Sequence, residues 1–330
     1  MDIDIKKFDQ YIVNATNKKI AVLGDIMIDH YIIGSVTRIS PEAPVPILEG
    51  LTDDYRLGGA ANVASNISSL DAKTYLISVL GEDSNSLVLL DLLKKKNIDT
   101  SYIVTDKNRP TTIKTRITSK TQQIVRVDRE VTAPICTEVE DQIIANFTKI
   151  VTEIDALVIE DYNKGLLTKR VIESVIKIAK EHNVLITVDP KFDNFFTYKG
   201  VDVFKPNLFE LSKNMNTKIT NDKDLHNIAW KLFEKIEAKY LIVTLGERGM
   251  LIFERDKNIF ALPTYAREVF DVSGAGDTVI STLTLAMTLT NSILESAIIA
   301  NHAAGIVCGK QGTSPTSWQE IRESVEQESQ

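Results

Sequence analysis

Cysteine is nearly missing from this sequence, with 2 in 330 residues, Cys136 and Cys308. A pair so far apart builds neither a disulfide framework nor a thiolate zinc cluster. The 4 histidines, His30, His182, His226 and His302, show no metal-ligand spacing. Positive charge is also short: 38 Lys and Arg face 45 Asp and Glu, for a formal net charge of −7. That balance speaks against a protein that coats nucleic acid, which needs a basic face. A small anionic substrate needs only a local pocket. Long hydrophobic runs are absent as well: residues 296–308 fall short of a membrane span and contain Asn301 and His302,. Residues 1–10 are polar and acidic, with no apolar stretch behind a basic start,. The expectation is a cytoplasmic protein without membrane or nucleic-acid partners, its cysteines serving as small apolar groups in a reducing compartment.

Hydrophobic residues make up 43% and charged residues 25%, which suits a globular chain large enough to bury a sizeable core,. After a short lead-in helix over residues 1–17, Lys19 to Asp25 reads as a buried strand ending in a glycine turn. Further buried strands are expected at 73–79, 156–159, 185–188, 203–205 and 240–244. Helical patterns cover 60–70, 84–96, 138–152, 169–182, 222–236, 276–289 and 292–308. This alternation predicts an α/β fold with one mostly parallel sheet covered on both faces. Residues 31–57 and 98–129 break the rhythm. They are extended, and Pro41, Pro44 and Pro46 forbid a helix in the first stretch. Residues 111–118 and 122–128 alternate around Ser119-Lys120-Thr121 as an antiparallel hairpin. Together they predict a small β lid over the carboxyl ends of the strands, where open α/β sheets bind ligands. Residues from about Arg322 onward read as a frayed polar tail.

The strongest chemical signal is Asp271-Val272-Ser273-Gly274-Ala275-Gly276-Asp277 before an apolar helix. Small residues let backbone N–H groups approach a ligand, and a helix start offers free donors and a positive dipole end. Such a site suits a transferring phosphoryl group, with Asp277 accepting the proton of an attacking hydroxyl. The same pattern is also met by a tight loop whose Asp277 merely stabilises the first helical turn. It is neither a Walker loop nor G-x-G-x-x-G.

The segment resembles the C-terminal signature of the ribokinase-like (PfkB) carbohydrate kinases, and other segments agree in the family's order. Gly24-Asp25-Ile26-Met27-Ile28-Asp29 resembles the first strand with its sugar-binding carboxylate. Gly58-Gly59-Ala60-Ala61-Asn62-Val63-Ala64 resembles the glycine-rich N-terminal signature. Lys205-Pro206-Asn207-Leu208-Phe209-Glu210 resembles the motif tied to magnesium and phosphate, and Thr244-Leu245-Gly246-Glu247-Arg248-Gly249 the nucleotide-side strand and turn. Val272-Ser273 replaces a commoner Thr-containing dipeptide. A narrower resemblance links Ser40-Pro41-Glu42-Ala43-Pro44-Val45-Pro46, Asp161-Tyr162-Asn163-Lys164-Gly165, Asp189-Pro190-Lys191 and Gly309-Lys310-Gln311-Gly312-Thr313 to the kinase part of heptose-phosphate pathway enzymes. Those phosphorylate the anomeric oxygen of D-glycero-D-manno-heptose 7-phosphate on the route to ADP-heptose for lipopolysaccharide. Many fuse the kinase to an adenylyltransferase. This sequence has no His-x-Gly-His motif, so residues 1–330 are expected to form one ribokinase-like kinase domain, with a lid from 31–57 and 98–129 and no adenylyltransferase domain.

The resemblance implies ATP and Mg²⁺. It makes Asp277 the general base and Gly274, Ala275 and Gly276 the phosphoryl cradle. It sets Asn207, Leu208, Phe209, Glu210, Thr244, Gly246 and Asn301 around the nucleotide, with Glu210 holding Mg²⁺ through water and Asp271 at a K⁺ position. Asn207 and Glu210 equally fit a helix-capping pair. Asp29, Gly58, Gly59 and Asn62 fall on the sugar side. A 7-phosphate needs cations, for which Lys114, Arg116 and Lys191 are candidates; Lys114 and Arg116 share one face of a strand, or form its solvated face. His302 reads as a packed helix residue rather than a ligand. Extended lid edges suggest a homodimer. A kinase for another sugar and a non-catalytic regulator on the same fold are the competing readings.

Overall fold

The strand β1 (Lys19–Gly24) shows in six residues why the chain folds in layers. Its side chains alternate: Ile20 and Val22 join one hydrophobic cluster, Ala21 and Leu23 the other,. A strand buried on both faces reads as a continuous apolar run, and so do β4 (Lys73–Leu80), β8 (Ala156–Glu160) and β9 (Leu185–Asp189),. The computed structural model describes residues 3–119, 122–266, 269–310 and 312–328. With β5 (Asp99–Thr105), β10 (Val203–Phe204), β11 (Tyr240–Thr244), β12 (Met250–Glu254) and β13 (Ile259–Leu262), these strands form one sheet. Its order is β13-β12-β11-β10-β9-β8-β1-β4-β5. All neighbours pair in parallel except at the β11-β12-β13 edge.

On the first face lie α1 (Ile5–Ala15), α2 (Ala60–Ser69), α3 (Ser84–Lys95), α8 (Ala275–Thr290), α9 (Ile293–Cys308) and α10 (Trp318–Glu328), contributing Phe8, Ile67, Leu93, Ile280, Ile299 and Trp318. The second face is covered by α4 (Thr137–Ile150), α5 (Lys169–Glu181), α6 (Leu208–Asn214) and α7 (Asp222–Ile236), through Phe147, Val175, Leu211 and Leu232. The three-layer α/β/α expectation holds. No helix among the described residues is long and apolar enough to cross a membrane.

The lid is a separate sheet of β2 (Ile26–Ile39), β3 (Pro46–Gly59), β6 (Ile113–Ser119) and β7 (Gln122–Arg129), in the order β3-β2-β6-β7. Its boundaries differ from those expected. β2 starts at residue 26, straight from β1, and carries Asp29 out of the core. Residues 99–105 are not lid at all: β5 pairs with β4 on the core edge, where Val104 is buried and Tyr102 packs edge-on against Tyr75 at 5.9 Å. The hairpin β6–β7 forms as expected; Lys120 and Thr121 of its turn lie outside the described residues, as does Gln311.

The tail beyond Arg322 is likewise not frayed through residue 328. Trp318, Ile321 and Val325 are buried, Trp318 Nε1 donates to the Leu70 carbonyl at 2.8 Å, and Arg322 pairs with Asp9 at 2.7 Å. The edge hairpin β12–β13 also adds two strands that the pattern of buried runs did not single out.

Candidate active site

The carboxyl ends of β1, β8, β9, β10 and β11 place Gly24, Glu160, Asp189, Lys205 and Thr244 along one edge of the sheet, and the N-terminus of α8 meets them there. Gly274 precedes α8 with φ of +78°, a conformation that favours glycine. A Cβ on it would lie 3.0 Å from Asn62 Nδ2 and 3.1 Å from Thr313. Gly276 faces the site's charges, its Cβ position 3.8 Å from Lys205 Nζ and 3.9 Å from Asp189 Oδ2.

Asp277, in the first turn of α8, is buried with both oxygens engaged. Asn62 Nδ2 donates to Oδ2 at 2.8 Å and Tyr162 Oη to Oδ1 at 2.9 Å. Burial pushes this carboxyl up to about 6; nearby Asp189 adds to the rise, while the two hydrogen bonds and Lys205 restrain it,. Each oxygen keeps a second lone pair, so Asp277 can still accept a proton. Its neighbours form a charged cluster. Carboxylate oxygens of Glu160, Asp189 and Asp277 all lie within 4.8 Å of one another. Lys205 Nζ stands 2.7 Å from Asp189; burial disfavours its ammonium, but Asp189 more than compensates and the group is held charged.

Tyr162, which the sequence reading gave no role, is set in place by Asp25. Asp25 is buried at the end of β1 and accepts the backbone N–H of Tyr162 and Lys164 at 3.0 Å each, and that of Leu166 at 3.3 Å. It thus clamps the loop after β8 across the site. Both residues sit inside recognisable motifs, yet no spacing rule singles out a tyrosine 115 positions from its partner.

In the lid, Gly58 pairs with Met27, and a Cβ there would come within 2.7 Å of Asp29 Oδ2. Gly59 turns the chain from β3 into α2, which carries Asn62. Asp29 is buried and bound to Arg116 Nη1 at 2.5 Å, with the guanidinium over the Tyr31 ring. Arg116 is therefore no solvated lid residue. Lys114, mostly buried, lies between Asp128 at 3.1 Å and Glu130 at 3.0 Å, and Glu130 also takes Lys164 at 2.8 Å.

Lys191 stands apart from that group, 2.5 Å from Glu210. Asn207 caps α6 and Glu210 reciprocates: Asn207 Oδ1 accepts from Glu210 N at 2.8 Å and Glu210 Oε2 from Asn207 N at 2.9 Å,. The capping reading of this pair is thus realised, and Glu210 spends one oxygen on the cap and the other on Lys191. Leu208 packs on the core, whereas Phe209 is 66% exposed and meets Phe192 edge-on. Thr244 bridges to Asn207, and Gly246 has φ of +62° with open space around it. Asn301 is buried in α9, donating to the Pro263 carbonyl at 2.6 Å. His302 stacks on Tyr265 at 3.9 Å and meets Ser324 at 2.8 Å, a packed residue as expected. Asp271 accepts Ser273 N at 2.9 Å and Gly312 N at 3.0 Å.

A layered α/β/α core whose strand ends and one helix N-terminus converge on a buried aspartate, under a separate β lid, defines a kinase-like fold. Comparison with known proteins agrees. The model of the pfkB family of carbohydrate kinases matches residues 17–320. The chain is 42% identical over 304 residues to the bifunctional protein HldE of Helicobacter pylori strain P12, covering 92% of this chain and 66% of that one. It is 43% identical over 305 residues to the bifunctional protein HldE of a Nitratiruptor species, covering 92% and 64%. The chain therefore spans just under two thirds of these relatives. Among solved structures, an Arabidopsis thaliana ribokinase complexed with ribose and ATP superposes with a TM-score of 0.75 at 19% identity, covering 93% of this chain and 98% of that one. Escherichia coli phosphofructokinase-2 in complex with substrates and products gives 0.77 at 20%, covering 95% and 100%. The chain belongs to the pfkB family of carbohydrate kinases, and it is an ATP-dependent sugar kinase.

Proposed function

We propose that this chain transfers the γ-phosphoryl of ATP to the anomeric O1 of D-glycero-D-manno-heptose 7-phosphate, giving the 1,7-bisphosphate for ADP-heptose and lipopolysaccharide synthesis. The observation that carries the kinase chemistry is Asp277, buried at the α8 N-terminus with its carboxyl pushed up to about 6. The heptose assignment rests on 42–43% identity to the two HldE proteins together with the motifs that resemble heptose-phosphate kinases.

In this reading Asp277 takes the O1 proton while the backbone of Gly274, Ala275 and Gly276 and the helix dipole receive the charge of the phosphoryl group. Lys205 and Lys191 add cationic charge on the phosphate path. Asp29 and Asn62 orient sugar hydroxyls, with Gly58 and Gly59 admitting the ring. Arg116 and Lys114 lie in carboxylate pairs, so a 7-phosphate would draw on them by competing with Asp29, Asp128 and Glu130. Thr244, Gly246, Asn207, Leu208, Phe209 and Asn301 border the nucleotide. Mg²⁺ neutralises phosphate charge when bound. Glu210 fits a water-mediated hold on it, since both oxygens already serve Asn207 and Lys191. Asp271 is the candidate for a K⁺ site, through lone pairs not used by Ser273 and Gly312. A potassium complex of Escherichia coli phosphofructokinase-2 is known on this fold. We further propose a cytoplasmic homodimer joined through the lid, where Val125 and Val127 on β7 are 45% and 54% exposed.

Coupled ADP release tests this, with Mg²⁺–ATP and the heptose 7-phosphate beside ribose, fructose 6-phosphate and an Asp277→Asn control. Turnover with the heptose alone, lost in the control, supports the whole reading. Turnover with another sugar removes the pathway assignment, and silence with every sugar from protein that binds ATP favours a regulator.

A further inference from the structure

Glu160 closes β8 directly beside the proposed base, and the described structure gives its buried oxygen no direct partner. It is 1% exposed, and its Oε2 is buried without a hydrogen-bond partner among the described residues. The charged groups around it are already spoken for. Asp189, at the end of β9, is paired with Lys205 after β10. Lys191 is paired with Glu210. From α8, Asp277 brings a second negative charge, and its own donors, Asn62 and Tyr162, are neutral. On the β1 side, the Asp25 carboxylate is turned to backbone N–H groups of residues 162, 164 and 166. Asp161, next in the chain, accepts from Tyr198 Oη at 2.6 Å.

Three carboxyl groups within 4.8 Å of one another thus share, among the described residues, a single directly bound ammonium, that of Lys205. Like charges at such a distance do not all ionise, and the carboxyl whose buried oxygen lacks a donor is the one that keeps its proton,. We propose that Glu160 carries a proton at neutral pH and acts as a positioning residue, leaving Asp277 as the one ionised carboxylate of the cluster free to receive a proton from substrate. Burial, Asp189 and Asp277 all favour the neutral form of Glu160, and Lys205 and Lys191 oppose it more weakly. This role rests on the kinase reading only where it concerns the substrate proton; the protonation of Glu160 stands independently.

Infrared spectroscopy at pH 7 on the full chain reads that protonation without any activity. The wild type shows the carbonyl stretch of a protonated carboxylic acid, Glu160→Gln lacks it, and Asp277→Asn retains it. A wild-type spectrum identical to that of Glu160→Gln in this region overturns the proposal. The acid limb of the pH–rate profile gives a second reading. Glutamine mimics the neutral acid, so the midpoint of the limb stays in place in Glu160→Gln. If Glu160 is instead ionised, removing its charge lowers the midpoint by about one unit or more, which also overturns the proposal. Should no sugar be phosphorylated, the infrared arm still decides the matter.

Discussion

Tyr162 donates its hydroxyl to Oδ1 of Asp277 at 2.9 Å, and it reaches that position because Asp25 holds the backbone of its loop from below. The bond favours the ionised aspartate, so it works against the burial that raises the carboxyl. Hydrogen bonds to charged groups contribute about 1.5–3 kcal/mol. Tyr162→Phe should therefore move the acid limb of kcat/KM upward by about one to two pH units. A full profile from pH 5 to 9 checks this. The variant loses most activity near pH 6 and recovers toward pH 8, whereas a purely structural role for Tyr162 would depress the profile evenly.

The wild type has its own pH dependence. In its proposed role as base, Asp277 must be ionised to accept a proton, and burial holds its carboxyl up to about 6. Activity is then full above that value and falls as pH drops through it, by about tenfold per unit further down. Asp277→Asn abolishes the limb and lowers kcat by about 10²–10⁴. It also keeps the fold, because asparagine relieves the burial cost while retaining the contact with Tyr162. Circular dichroism melts beside the kinetics separate the two effects.

The glycine before α8 makes a more local claim. At φ of +78°, with Asn62 and Thr313 closing on its Cβ position, Gly274 admits no side chain without movement. Gly274→Ala should cost about 1–3 kcal/mol in strain. It should reduce kcat more than KM for the sugar, since the displaced neighbour, Asn62, also holds Asp277. Thermal unfolding and steady-state kinetics on one preparation measure both.

Legibility in the sequence followed the strength of the local signal. Buried parallel strands announce themselves as apolar runs, and the helices between them by period, so β1, β8, β9 and α5 were readable within a residue or two. Met250–Glu254 is as apolar as those strands, but it follows β11 after a five-residue turn instead of a helix, so strand-helix alternation does not mark it. In α10 the buried stripe Trp318, Ile321, Val325 is diluted by charged neighbours, and only packing against α1 and α9 reveals it. β5 resembles the lid strands in composition; its pairing partner, not its residues, decides where it belongs. At the candidate site, motifs point to Asp277, Asn62 and Glu210. Glu160 and Asp25 remained invisible as partners because their meaning lies in burial and in groups brought from other strands.

Lys205 offers the sharpest test of the charge cluster. Its ammonium is buried 2.7 Å from Asp189 and is, among the described residues, the one cation bound directly to any of the three carboxyl groups. Taking away one member of a buried pair leaves the other uncompensated, at a cost of about 3–5 kcal/mol. Lys205→Met keeps most of the side-chain volume, so the loss reports charge rather than a cavity. Its expected signature is destabilisation of that size in urea unfolding, joined to an acid limb displaced upward, because Asp277 loses a charge that favours its ionised form. Adding Asp189→Asn removes the stranded charge and should restore much of the stability. It should not restore the rate, since the proposed phosphate path still lacks its lysine. Equal stability of the single and double variants would mean that Lys205 and Asp189 are not coupled, and the account of the cluster would fall with them.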